Sequence, residues 1–162
     1  MADVRPRIER KRRGGFRLRL PPEERALLRS LGGQIEALLG TDDPSLRRLF
    51  PPGYADEPEL EVEYRHLVRD DLLSQKREAL RIVEETIDAD HLTEEQLTAW
   101  LGALNDLRLV LGTRLDVTED MYEEGLPQAD PRAPAFAVYA YLGWLEEQVV
   151  ESLASGLKRT DG

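Results

Sequence analysis

The 162-residue chain contains no cysteine. That absence excludes disulfides, thiolate metal sites, cysteine nucleophiles and thiol redox switches within this sequence. Histidine is nearly as scarce, with only His66 and His91. No Gly-rich phosphate loop, Gly-x-Ser-x-Gly turn or His-Glu-x-x-His pair occurs, so the common nucleotide, hydrolase and zinc-protease signatures are missing. Aromatic residues make up 6% of the chain, too few for a base-stacking platform. The longest uncharged run, Ala133 to Leu145, has 13 residues, short of the about 20 that span a bilayer. The start, MADVRPRIERKRR, lacks the apolar stretch of a secretory signal. Together these absences predict a soluble, cytoplasmic protein with no membrane association.

What remains is charge and leucine. Apolar residues are 41% and charged residues 33% of the chain, a composition that folds, and the length suits one domain over residues 1–162. The net charge of −10 is unevenly spread. Residues 1–20 hold eight basic side chains against Asp3 and Glu9, a net +6, which leaves −16 on the other 142 residues. Such a division concerns partners more than fold. Phosphate backbones are bound by cations, so only the basic arm suits nucleic acid.

Within the arm, Phe16-Arg17-Leu18-Arg19-Leu20 alternates apolar and basic residues, the period of a strand with one buried face. Gly14-Gly15 before it, with Val4 and Ile8 further back, predicts a β-hairpin. From Pro21 onward the spacing is helical. Leu27, Leu28, Leu31, Ile35, Leu38 and Leu39 form one face before Gly40, interrupted by Gly32-Gly33, where either the helix breaks or another backbone packs closely. Asp43-Pro44 opens a short helix ended by Pro51-Pro52-Gly53. A long helix follows from about Pro58 to Asp88, with Leu60, Tyr64, Leu67, Leu72, Ala79, Leu80, Val83 and Ile87 on its apolar face; it either bends or serves a dimer contact. Thr93 and Gln96 form a capping box for the next helix, and Thr118 caps a short acidic turn. A Pro-rich loop covers 125–134, and a last helix runs from Phe136 to Leu157. Its first half is apolar nearly all round and is expected in the middle of the bundle. The fold class is therefore mainly α: a helical bundle (21–157) with a short N-terminal β-hairpin (1–20) and a frayed tail (158–162).

Candidate chemistry is thin. Glu63-x-x-His66 has the spacing of one half of a di-iron site, but no second such motif faces it. Adjacent carboxylates such as Asp70-Asp71, Glu84-Glu85 and Glu123-Glu124 splay about 100° apart on a helix and do not converge on a substrate. No catalytic residue, metal or cofactor is expected. The basic cluster Arg10, Lys11, Arg12 and Arg13 has two readings: phosphate contacts along a groove, or the wet side of a hairpin whose Phe16 and Leu18 dock on the bundle.

The stretch LNDLRLVLGTRL at 104–115 threads Asp106, Arg108 and Arg114 between leucines. Arg108 lies beside the buried stripe, where it can pair with a carboxylate on a neighbouring helix and fix that helix's register. Arg114 is turned about 240° away, so the two arginines form no clamp. Gly112 would let another helix approach. Asp106, Arg108 and Arg114 are the candidate protein contacts.

This same stretch, with RLFPPGYADEPELEVEYRHLVRDDLL at 48–73 and the opening order of hairpin and leucine-rich helix, resembles the actinobacterial AosR-like oxidative-stress transcriptional regulators, a family long described only as a domain of unknown function. The resemblance covers nearly the whole chain. It implies a small cytoplasmic helical protein that acts in transcription by contacting a sigma factor or RNA polymerase. Genes of the family often lie near the adaptor of the Clp protease, which implies a second possible role in proteolysis. The family offers no catalytic or ligand residues to carry over. The expected partners are thus a protein, nucleic acid through the arm, and a second copy of the chain through the long helix or the FRLRL edge.

Overall fold

The computed structural model describes residues 6–50 and 58–160. Among these, β1 (Ile8–Arg10) and β2 (Phe16–Leu18) pair antiparallel, with Ile8 opposite Leu18 and Arg10 opposite Phe16. Strand alternation buries Phe16 and Leu18 and leaves Arg17 between them exposed. The turn falls at Gly14 and Gly15, whose φ angles of +99° and +75° disfavour side chains. Gly15 has a second constraint, because a Cβ there would stand 3.1 Å from the Leu92 carbonyl oxygen.

That carbonyl belongs to β3 (His91–Leu92), which pairs with the other side of β2. FRLRL is therefore the central strand and not a free edge, so the edge expected to pair with a second copy is already paired within the chain. Two residues are too few to show a period of 2, so β3 leaves no pattern in the sequence.

The helices among the described residues are α1 (Pro22–Leu38), α2 (Pro58–Thr86), α3 (Glu94–Leu115), α4 (Glu119–Glu124) and α5 (Ala133–Thr160), with a 3₁₀ turn at Pro44–Leu46. Their starts follow local chemistry. Pro22 occupies the first position of α1, where a missing N–H costs nothing. The Asp43 side chain accepts from the Ser45 N–H at the 3₁₀ turn, Thr93 and Gln96 complete the capping box of α3, and Thr118 accepts from the Met121 N–H at α4. Asp116 ends α3 in the left-handed region at φ 51°. The Pro51-Pro52-Gly53 stop lies outside the described residues, as do the side chains of Leu60 and Tyr64.

Helix α3 is the centre of the bundle and packs most extensively on α5 and α2. Leu97, Trp100, Leu104 and Leu107 are buried along it, and the Trp100 indole N–H donates to Thr86 Oγ1 at 2.8 Å. Burying an indole without such a partner is costly. Gly112 meets α5 as expected: a Cβ there would lie 2.9 Å from the Tyr139 ring.

Three expectations are corrected. Gly32-Gly33 neither breaks α1 nor admits a backbone, since the helix is continuous and a Cβ at either position would meet nothing within 4 Å. Leu67 faces out at 75% exposure instead of joining the α2 face. The first half of α5 is not buried all round: Leu142 and Leu145 are, but Ala137, Ala140 and Trp144 are exposed. Small alanines kept the apolar count high without requiring burial. Helix α5 spans Ala133–Thr160, starting earlier than the expected Phe136.

The hairpin is fastened to the bundle at several points. The Arg7 backbone N–H donates to Gln148 Oε1 at 2.7 Å, and its guanidinium forms an ion pair with Glu24 at 2.8 Å and lies over the Trp144 ring. Tyr141 donates its hydroxyl hydrogen to the same Glu24 at 2.6 Å. Burial and the Glu24 carboxylate push the Tyr141 hydroxyl well above the usual tyrosine range. Arg25 of α1 reaches carbonyl oxygens of Ile87 at 2.6 Å and Ala89 at 2.9 Å, satisfying acceptors beyond the C-terminal end of α2.

Candidate protein-contact surfaces

Asp106, Arg108 and Arg114 point three ways from α3. Asp106 is buried toward α2, where its carboxylate meets Lys76 Nζ at 3.0 Å. Burial pushes the Asp106 carboxyl above the ordinary aspartate range, against the pull of Lys76. Lys76 is signalled in the sequence only as part of the polar stretch Ser74–Glu78.

Arg108 faces α5. Its Nη1 donates to Glu146 at 3.3 Å, its guanidinium lies 5.4 Å from the Tyr139 ring centre, and its stem passes the bare backbone of Gly143. The pairing expected from its position beside the stripe is present. Its Nε is buried without a hydrogen-bond partner. Arg114 turns to the 3₁₀ segment, with Nε 3.3 Å from Ser45 Oγ and Nη2 3.7 Å from Asp43. Bonds from Ser45, more than the charge of Arg114, hold the Asp43 carboxyl below its ordinary range. The three candidates are thus spread over three helix contacts and form no single site.

The basic cluster divides as well. Arg10 is not on the wet side: its guanidinium stacks 4.7 Å from the Phe16 ring centre, and it donates to Ser155 Oγ at 3.1 Å and to the carbonyls of Ser152 and Leu153 on α5. Lys11 Nζ lies 3.1 Å from His91 Nδ1. Arg12 and Arg13 stand exposed at the hairpin turn. Arg19 is paired with Glu9. Of the four candidate nucleic-acid contacts, only Arg12 and Arg13 are presented outward without a described partner.

His66 is exposed on α2, and among the described residues no cluster of three His, Asp or Glu side chains could hold a metal ion. No described helix is long and apolar enough to cross a membrane. The surface does expose large apolar groups, with Tyr122, Trp144 and Val150 each about half accessible. A narrow apolar cleft of about 70 Å³ also opens between α1, α2 and α3 beside Gly32 and Gly33. The sequence marks this place only by the glycine pair.

These features define a mainly helical protein whose N-terminal sheet is locked onto the bundle. The chain belongs to the family described as Domain of unknown function (DUF2017), whose model matches residues 5–153. It is 30% identical over 185 aligned positions to the "Oxidative stress regulator AosR" of Mycobacterium tuberculosis and of Mycobacterium bovis, covering 89% of this chain and 84% of theirs. A Mycobacterium leprae relative is 29% identical, over 91% of this chain and 86% of its own. No solved structure matches the chain.

Proposed function

We propose that this protein is a non-enzymatic regulator in the response to oxidative stress, acting on transcription through contact with a protein of the sigma factor or RNA polymerase class. The observation that carries this reading is the similarity to proteins named oxidative stress regulators, which spans most of both chains. The charge division supports it. The acidic body favours a basic protein surface, and complementary charge raises encounter rate and selectivity. With no cysteine in the chain, the regulation does not run through a thiol switch within it. Asp106 and Arg108 serve this reading as residues that set helix positions, and Arg114, exposed beside Ser45 and Asp43, stays a candidate contact.

Affinity capture with the intact chain, followed by binding measurements with purified sigma factors and core RNA polymerase, tests the proposal. Direct, saturable binding to one of them is the expected result. Binding to Clp components instead would replace the reading with a proteolysis adaptor. Tight duplex DNA binding that survives moderate salt would replace it with a DNA-binding protein.

A further inference from the structure

Some glycines in this fold make room for a neighbour, whereas Gly102, like the pair in α1, meets nothing within 4 Å. Gly112 gives way to Tyr139, and Gly15 gives way to the Leu92 carbonyl. The pair Gly32-Gly33 in the middle of α1 has no such role, because a Cβ at either would meet open space and neither has a positive φ. Two helix-weakening residues in succession thus serve no packing among the described residues. What they do is leave the wall of α1 bare over the cleft of about 70 Å³.

The floor of that cleft is aliphatic, built from Leu28 of α1, Leu80, Val83 and Ile87 of α2, and Leu104 and Leu107 of α3. Its polar side chains are Arg29, Glu36 and Glu84. Arg29 is neutralised by Asp88 at 2.7 Å. Glu36 and Glu84 are exposed and have no hydrogen bond or ion pair among the described residues. The same two carboxylates border an adjoining groove along α1 and α2 that also holds Asp70, Arg77 and Arg81. There Arg81 is paired with Glu78 and Glu85, and Arg77 reaches the Leu39 carbonyl at 3.4 Å. Arg77 keeps its positive charge against that carbonyl, so the seam is negative by the excess of Glu36, Glu84 and Asp70 over it.

We propose that this cleft receives one aliphatic side chain from a cationic amphipathic helix of a partner protein, whose lysines or arginines meet Glu36 and Glu84. The assignment rests on the reading of the protein as a contact regulator and names the surface used. The volume is well below the about 150 Å³ of an engineered cavity that takes benzene, which favours a branched aliphatic group over a ring. The carboxylate rim disfavours nucleic acid and a second acidic body. A helix laid over a groove with a single leucine or isoleucine anchored in it, flanked by cations, fits both the shape and the charge.

The test uses the full chain and a fluorescent helical peptide with leucines at helical spacing and lysines between them, titrated at low salt. Saturable binding is expected, with NMR shifts on the methyl groups of Leu28, Val83, Ile87 and Leu104. Gly32→Leu fills the cleft: thermal stability holds or rises while peptide affinity drops at least tenfold. Glu36→Gln with Glu84→Gln weakens binding severalfold and flattens its salt dependence, and a peptide with its leucines changed to alanine does not bind. Gly32→Ala provides a milder variant should the leucine not fold. Unchanged affinity in the filled variant, methyl shifts confined to the surface around Trp144, or self-association that buries the cleft overturns the proposal. A sigma factor or polymerase that binds Gly32→Leu as well as the unmodified chain overturns the cleft and leaves the contact-regulator reading standing. If no protein of that class binds at all, that reading fails by itself and the peptide titration still decides the cleft.

Discussion

The guanidinium of Arg10 occupies the space where a side chain on residue 156 would begin: a Cβ on Gly156 would lie 2.6 Å from Arg10 Cζ. An arginine on the first strand and a glycine on the last helix are thus one fitted contact, completed by Phe16 beneath the guanidinium and by Ser155 and the carbonyls of Ser152 and Leu153 around it.

A double-mutant cycle measures that fit. Gly156→Ala should gain about 1 kcal/mol from helix propensity when Arg10 is already alanine. In the unmodified protein the same change expels the guanidinium, so it should be neutral or destabilising, giving a coupling of about 1–2 kcal/mol. Urea denaturation of the four proteins gives the number, and simple additivity would mean that Arg10 does not depend on the glycine.

Glycine to alanine should have opposite signs at different sites. Gly112→Ala puts a methyl 2.9 Å from the Tyr139 ring and should cost about 1–3 kcal/mol. Gly32→Ala and Gly33→Ala meet nothing and should each stabilise by about 1 kcal/mol. Thermal melts of the three variants suffice.

Asp106 should make stability depend on pH. Its carboxyl is raised in the folded state because burial outweighs Lys76. The unfolded carboxyl ionises near pH about 4, so the stabilising contribution is full below that value and is lost as pH rises through the raised folded value. Relative to Asp106→Asn, the unmodified protein should therefore be favoured most at acid pH and lose ground toward neutrality. Lys76→Met removes the opposing charge and should enlarge that loss. Urea midpoints between about pH 4 and 7 follow both effects.

Whether the hairpin contacts nucleic acid is best tested by Arg12→Ala with Arg13→Ala. Removing residues 1–15 would also delete Ile8, which is buried, and the attachments of Arg7 and Arg10, so lost binding would report unfolding. The double variant should keep the unmodified melting temperature within about 2 °C, as exposed substitutions usually do. Any weak low-salt DNA affinity should fall, and sigma factor or polymerase binding should be unchanged.

Most of the architecture could be read because local signals carried it. Period, Pro at helix starts and the Thr93–Gln96 box mark α1, α3 and α4, and alternation in FRLRL marks the buried face of β2. What escaped depends on distant partners. β3 exists because Leu92 fits beside Phe16, Arg10 is engaged because residue 156 is bare, and Asp106 is paired because Lys76 emerges from a stretch that looks wholly solvated. Arg108 was legible in position but not in detail: its place beside the leucine stripe predicted a carboxylate partner, and only the fold identifies Glu146. The cleft could not be read at all, since a glycine pair does not reveal whether a neighbour fills the space it leaves.

The joining of β1 to α5 has a consequence for biosynthesis. Beyond their pairing with β2, Ile8 and Arg10 are held by α5 residues some 142 to 145 positions later in the chain, so a nascent polypeptide can close its hairpin early but cannot dock it on α5 until that helix has been made. Such distant closure slows folding, and a dye pair spanning the hairpin and α5 would report their contact only after that helix has been synthesised.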